Sequence, residues 1–279
     1  SDPTMPGDNK AYLAFALHKE LDDLGDHAGA GEALTLGCRL RRPTQAYSDA
    51  GSRRLFESLA AVDPWPTPPA DAHGHGFTPV FIVGMFRSGT TLLERLVAGS
   101  PLVRSGGELR DVSSCLQYAS DHSCKAIIDQ GIVDASSAID YANFGKRYLD
   151  KVQWRLRGKT FLTDKMPPNF LGIGYILGSI PGAKVLHMVR DPVETCFSNL
   201  REHFSGMSPY SYDQIELADY FVRYRRLMAH WHATFPGQIL DVSYDRLTSD
   251  TEATMRQVAA FCGLDFVPDM LDPRSGTSG

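Results

Sequence analysis

The sequence has no apolar run approaching the roughly 18 residues that a membrane span needs, and no basic start leading into an apolar leader. It reads as a globular chain of the cytoplasm. An excess of basic charge is also missing, since 28 Lys and Arg stand against 33 Asp and Glu, a net charge of −5. A general nucleic-acid binder needs the opposite sign and is disfavoured. Cysteine is scarce: Cys38, Cys115, Cys124, Cys196 and Cys262 form an odd set, with no C-x-x-C and no Cys/His cluster at zinc spacing. Free thiols in a reducing compartment account for them, Cys115 and Cys124 being the one nearby pair. No metal site is expected. The last absence is local, and it sits inside the most informative stretch of the chain.

That stretch is residues 80–97. Val80-Phe81-Ile82-Val83 is the short apolar run of a strand buried on both faces. Beyond Thr91 the period becomes helical, with Leu92, Leu93, Leu96 and Val97 on one stripe and Glu94 and Arg95 off it. Between them Gly84 and Gly89 bracket a turn with the G-x-x-x-x-G spacing of a phosphate-binding loop. A strand, a glycine turn and a helix N-terminus aim backbone N–H groups and a positive dipole end at an anion. The Lys-[Ser/Thr] that normally follows the second glycine is absent. Thr90 and Thr91 stand there, and the cation within the loop is Arg87. Cleavage of a nucleoside triphosphate uses that lysine and a Mg²⁺-binding hydroxyl, so a smaller phosphate-bearing ligand fits better than ATP or GTP.

The chain is long enough, at 279 residues with 43% hydrophobic and 22% charged, for one large domain with an appendage. The appendage is helical. Leu13, Leu17, Leu21 and Leu24 recur every three to four residues up to Gly25-Asp26, and a second helix carries Ala30, Ala33, Leu34 and Leu36. A third helix, near 52–62, runs into Asp63-Pro64-Trp65-Pro66-Thr67-Pro68-Pro69, which reads as a semi-rigid linker. His73 and His75 continue it without further ligands nearby. The expected division is 1–70, helical segment and linker, and 71–279, an α/β domain with a parallel sheet flanked by helices. The opening Ser1-Asp2-Pro3-Thr4-Met5 looks like a cut end.

Three further stretches stand out, and in one of them a lysine sits at a strand's carboxyl end, where an open α/β sheet puts its ligands. Ser105-Gly106-Gly107-Glu108-Leu109-Arg110 is a glycine turn carrying an acid. Phe161-Leu162-Thr163 is a strand ending in Asp164-Lys165-Met166-Pro167. Ala183–Val189 is a strand ending in Arg190-Asp191-Pro192, with a helix starting at the proline and Ser198 about two turns in. Residues 112–158 read as helical, and Tyr118, Tyr141, Phe144, Tyr148 and Trp154 there suit core packing better than a cleft. A helix over 216–234 puts Leu217, Tyr220, Phe221, Tyr224 and Leu227 on one stripe. Ile239–Tyr244 is a strand, and a last helix ends at Cys262-Gly263.

Taken together, Arg87-Ser88-Gly89-Thr90-Thr91 and Arg190 with Ser198 resemble the two phosphate motifs of sulfotransferases that use 3′-phosphoadenosine 5′-phosphosulfate (PAPS). Within that superfamily the chain is most similar to tyrosylprotein sulfotransferases and to bacterial sulfotransferases fused behind tetratricopeptide repeats. Leu24-Gly25-Asp26-His27 with Ala30 and Ala33 resembles the turn and second helix of one such repeat. The resemblance implies that Arg87, Ser88, Gly89, Thr90 and Thr91 hold the 5′-phosphosulfate, that Arg190 and Ser198 grip the 3′-phosphate, and that Tyr244 helps to seat the donor. It also implies a catalytic base at Glu108, charge neutralisation by Lys165 and Arg87, and Arg110 near the acceptor. Phe86 stands where the family often has proline, and the family's closing tail segment is not recognisable near Asp272–Gly279.

The reaction implied is metal-independent transfer of a sulfuryl group to a hydroxyl of a peptide, carbohydrate or small molecule, leaving adenosine 3′,5′-bisphosphate. Homodimerisation stays open. Two other readings remain beside it. One is a P-loop kinase, which would need the missing lysine and a Mg²⁺ carboxylate. The other is a non-catalytic nucleotide-binding scaffold that uses the helical repeat to hold a partner.

Overall fold

The computed structural model describes residues 7–68 and 76–277. His73, His75 and the first five residues lie outside that range. Twelve α-helices and five strands follow one another along the described chain. The N-terminal helices are α1 (Gly7–Asp23), α2 (His27–Arg41) and α3 (Asp49–Ala61). Then come β1 (Thr78–Gly84), α4 (Thr90–Val97), β2 (Val103–Ser105), α5 (Asp111–Ala119), α6 (Gln130–Asp134), α7 (Tyr141–Val152) and β3 (Phe161–Asp164). The remainder is α8 (Ile173–Ser179), β4 (Lys184–Val189), α9 (Pro192–Leu200), α10 (Gln214–Thr234), β5 (Ile239–Ser243), α11 (Tyr244–Ser249) and α12 (Thr251–Cys262).

These elements form two compact units. One takes the chain up to Arg54 together with Asp191–Tyr224, and the other takes Leu55–Arg190 together with Arg225 onward. In the first, Gly25 turns the chain with φ at +79° and Asp26 caps α2 by accepting from the Gly29 N–H at 3.0 Å. The buried stripe of α1 is Ala11, Ala14, Phe15 and His18, whereas Leu13, Leu17 and Leu24 are exposed. Of the leucine period expected from sequence, only Leu21 is half-buried. The small residue at the contact is on α2: a Cβ at Gly37 would meet the Phe15 ring at 3.1 Å, so glycine there lets α1 and α2 approach closely. In α2, Ala30, Ala33 and Leu34 are buried as expected, and Leu36 is not.

The second unit is built on the sheet, whose order is β2-β3-β1-β4-β5 with every neighbouring pair parallel. Parallel strands covered on both faces read as continuous apolar runs, which is what Val80–Val83 is, while β4 breaks its apolar run with the buried His187. On one face Leu93, Leu96 and Val97 of α4 and Met255, Val258, Ala259 and Cys262 of α12 pack over Val80, Ile82, Leu186, Met188 and Val242. On the other, Phe81 meets Tyr148 of α7 at 5.5 Å, and Phe144 is buried with it. Tyr118 and Trp154 are exposed instead, beneath the Arg147 and Arg155 guanidiniums.

The proline run after α3 is more than a spacer. Trp65 is buried edge-on against Tyr175 and Trp231, at 4.9 and 5.5 Å, and a Cβ at Gly174 would strike its ring at 2.5 Å. All five cysteines are free thiols, Cys115 and Cys124 included. No helix of the described residues is long and apolar enough to cross a membrane.

Candidate functional site

The strand order makes β1 central, with β3 on one side and β4 on the other, so the succession of strands reverses about it. At such a reversal the chain leaves neighbouring strands in opposite directions and opens a crevice beyond their carboxyl ends. Every strand of the sheet sends a singled-out residue to that end. Gly84–Thr91 follows β1, Glu108 follows β2, Lys165 follows β3, Arg190 follows β4 and Tyr244 follows β5.

The loop after β1 is a left-handed construction. Arg87 has φ at +66°, uncommon for a residue with a side chain, and Gly89 has φ at +105°. The Ser88 hydroxyl donates to the Met85 carbonyl at 2.7 Å and is buried, so it ties the loop together. Gly89 then serves as N-cap of α4 with no side chain capping it. A Cβ there would come within 2.5 Å of the Tyr244 ring, so glycine is required on two counts. Arg87 and Thr91 are exposed and Thr90 is buried.

Tyr244 does a second thing. Its ring carries the Arg190 guanidinium at 4.5 Å from the centroid, and Arg190 also donates to the Arg87 carbonyl at 3.2 Å. The end of β4, the end of β5 and the β1 loop are thus joined through one arginine. Tyr244 opens α11 and is not the last strand residue; Ser243 caps that helix by accepting from the Arg246 N–H at 3.3 Å. Ser198 lies buried on α9, in the other unit, where Asp191 caps the helix and Pro192 starts it.

On the other side of β1, Lys165 and Glu108 form an ion pair with Nζ–Oε1 at 2.6 Å. The lysine side chain is 8% exposed and the carboxylate 51%, so the pair presents its acid to solvent and hides its cation. Backbone bonds bring them together: the Lys165 N–H donates to the Gly107 carbonyl at 2.9 Å, and the Gly106 N–H to the Thr163 carbonyl at 3.1 Å. Gly106 has to be glycine, because a Cβ would lie 2.2 Å from that carbonyl. Arg110 is exposed immediately before α5.

Glu94 is the residue that periodicity misplaced. It is 5% exposed, and its Oε1 accepts from the Gly107 N–H at 2.9 Å and from the Thr163 hydroxyl at 2.7 Å. A carboxylate inside the face of α4 thereby fastens the glycine turn and β3 to the helix that starts at the loop. The signal available in sequence was a lone acid inside a leucine-rich helix, which only a partner could keep buried. Beside it Asp164 is fully buried, accepts from the Tyr148 hydroxyl at 3.0 Å, and is held well above the usual carboxylate range by burial.

A loop that ends in a glycine-capped helix N-terminus, with Arg87, Lys165 and Arg190 gathered about the sheet's carboxyl edge, suits a ligand bearing several anionic groups. A family model described as the sulfotransferase family matches residues 79–269. The chain belongs to that family.

Among its relatives, a putative protein-tyrosine sulfotransferase of Caenorhabditis briggsae is 26% identical over 195 residues, covering 69% of this chain and 68% of the relative. An uncharacterized protein of Aquifex aeolicus (strain VF5) is 30% identical over 287 residues; the match takes in 98% of this chain but only 37% of that longer protein. Among solved structures, the sulfotransferase domain of the Synechococcus PCC 7002 olefin synthase superposes with a TM-score of 0.51 at 21% identity, over 76% of this chain and 82% of that one. The fold of this sulfotransferase is therefore the α/β one expected from its sequence.

Proposed function

We propose that this sulfotransferase moves the sulfuryl group of 3′-phosphoadenosine 5′-phosphosulfate to a hydroxyl of a peptide tyrosine, a carbohydrate or a small molecule. The observation that carries the reading is the convergence of all five strand ends, which supports a donor site along the β1, β4 and β5 edge and an acid–cation pair beside it. The donor, when bound, supplies an activated sulfuryl group on a phosphate leaving group.

The chain's own residues do the rest. The Gly89-capped N-terminus of α4, with Ser88, Thr90 and Thr91, holds the 5′ anion. Arg190 takes the 3′-phosphate, its guanidinium plane fixed by Tyr244, and Ser198 keeps the phosphate-binding role that the family resemblance implies. Lys165 and Arg87 oppose the negative charge that develops on oxygens during transfer, where preorganised charge is most effective. Glu108 accepts the proton of the acceptor hydroxyl as that oxygen attacks. An ammonium has three N–H donors, so Lys165 can keep Glu108 aligned and still offer two to an anion. Arg110, exposed two residues past the base, is assigned to binding the acceptor.

Calorimetric titration without magnesium, adenosine 3′,5′-bisphosphate against ATP, tests the donor site. The expected result is micromolar binding of the bisphosphate, loss of it in Arg190→Ala, and no comparable binding of ATP. Equal binding of ATP would point to a kinase. Bisphosphate binding with no transfer to any hydroxyl acceptor would leave only a scaffold.

A further inference from the structure

We propose that His187, His232 and Asp241 form a binding site for a divalent transition-metal ion of the zinc class, apart from the donor residues and independent of the function proposed above. His187 is on β4 and Asp241 on β5, and they are register partners, so their side chains stand next to each other on the same face of the sheet. That face is opposite the one bearing Leu186, Met188 and Val242, which belong to the core under α4 and α12. The carboxyl-terminal half of α10 lies over it and brings in His232. The result is two imidazoles aimed at one oxygen: His187 Nδ1 is 2.6 Å and His232 Nε2 2.8 Å from Asp241 Oδ1. All the donor atoms lie within 4.8 Å of one another, and they are the sole such group of three found among the described residues.

The donor set and the exposure both suit an ion. Two imidazoles and a carboxylate are what Zn²⁺, Co²⁺ and Ni²⁺ accept in a four-coordinate site, with water in the remaining position. His187 is buried, so one ligand is held rigidly, whereas His232 and Asp241 are 37% and 51% exposed and leave a route from solvent. With metal–ligand bonds of about 2.0–2.1 Å, tetrahedral ligands stand about 3.3 Å apart, so Asp241 Oδ1, at 2.6 Å from His187 and 2.8 Å from His232, must draw back by about 0.7 and about 0.5 Å. The half-exposed Asp241 carboxylate can make that movement by side-chain rotation alone. Arg225 is near enough to His187 for its charge to be felt there, which opposes a cation and weakens its binding. No sequence spacing could disclose the site, because its ligands come from three separate elements.

The test uses the full chain, stripped with a chelator and titrated with Zn²⁺ by calorimetry and with Co²⁺ by visible absorption. Wild type should bind one equivalent, give the visible bands of four-coordinate Co²⁺, and melt a few degrees higher with Zn²⁺. His232→Ala and Asp241→Asn should each weaken binding by about tenfold or more and abolish the thermal shift. His232 and Asp241 are partly exposed, so their metal-free melting temperatures should stay close to wild type, which separates loss of a ligand from loss of the fold. Undiminished binding in both variants, or binding that disappears in His73→Ala with His75→Ala instead, would overturn the proposal. So would the absence of any saturable Zn²⁺ binding to wild type.

Discussion

Replacing Glu94 is the sharpest test of how the site is held. Glu94→Leu removes the acceptor of the Gly107 N–H and the Thr163 hydroxyl, the two bonds at 2.9 and 2.7 Å. A hydrogen bond to a charged group is worth roughly 1.5–3 kcal/mol. Because both bonds end on one oxygen, and relief of a buried charge offsets part of their loss, the net destabilisation should be about 2–4 kcal/mol. The kinetic effect follows from where the bonds lead. Gly107 precedes Glu108 directly, and misplacing a reacting group by about 1 Å can cost on the order of 10²-fold in rate.

We therefore expect Glu94→Leu to lower kcat about 10–10²-fold at saturating donor, with bisphosphate affinity changed only a few-fold. Glu94→Gln keeps an acceptor oxygen in place and should retain kcat within about threefold. Steady-state kinetics, calorimetry with the bisphosphate and thermal melts on the same preparations separate these effects. A folded Glu94→Leu enzyme with wild-type kcat would refute the reasoning. A Gln variant as impaired as the Leu variant would show that the charge matters and not the bonds.

Three further outcomes follow from the same geometry. Glu108→Gln should lower kcat by about 10²–10⁴-fold, the usual worth of a positioned base, while calorimetry finds bisphosphate binding intact. Gly89→Ala forces a side chain into a left-handed position and against the Tyr244 ring at 2.5 Å; it should weaken bisphosphate binding at least about tenfold in calorimetry, and unchanged binding would count against the loop as the anion site. Asp164→Asn should flatten the pH dependence of stability. The folded carboxyl is raised above its unfolded value by burial, so its contribution is complete below about pH 4 and is lost as pH rises through the folded pKa. Melting temperatures measured from pH 4 upward should fall less in the Asn variant than in wild type, and parallel curves would count against a raised carboxyl.

What sequence could and could not disclose divides along chain distance. The loop after β1, the strands that end in Lys165 and Arg190, and the stripe of α10 are local patterns whose geometry is set by a few neighbouring residues, and they stand where expected. Four features depend on partners far away. Glu94 looked like a solvent-facing acid because its partners are 13 and 69 residues off. Tyr244 looked like the end of a strand, yet its position is set by Gly89 and Arg190. β2, with three residues, is too short to show a period and exists because β3 pairs with it. Leu13, Leu17 and Leu24 are exposed, since the side of α1 that meets α2 carries Phe15 against Gly37 and His18 against the Ala30 carbonyl.

The brace through Glu94 also bears on how such an enzyme can change. It is closed within α4, the glycine turn and β3, and it ties the acid, the lysine and the helix that follows the β1 loop into a single piece. Residues outside that piece can vary without disturbing how the acid and lysine are aligned. With the acid and lysine in the roles proposed for them, acceptor-facing segments are the parts to exchange when a new acceptor is wanted. A designer who grafts a foreign acceptor-facing segment onto this chain should leave Glu94, Gly106, Gly107 and Thr163 as they are.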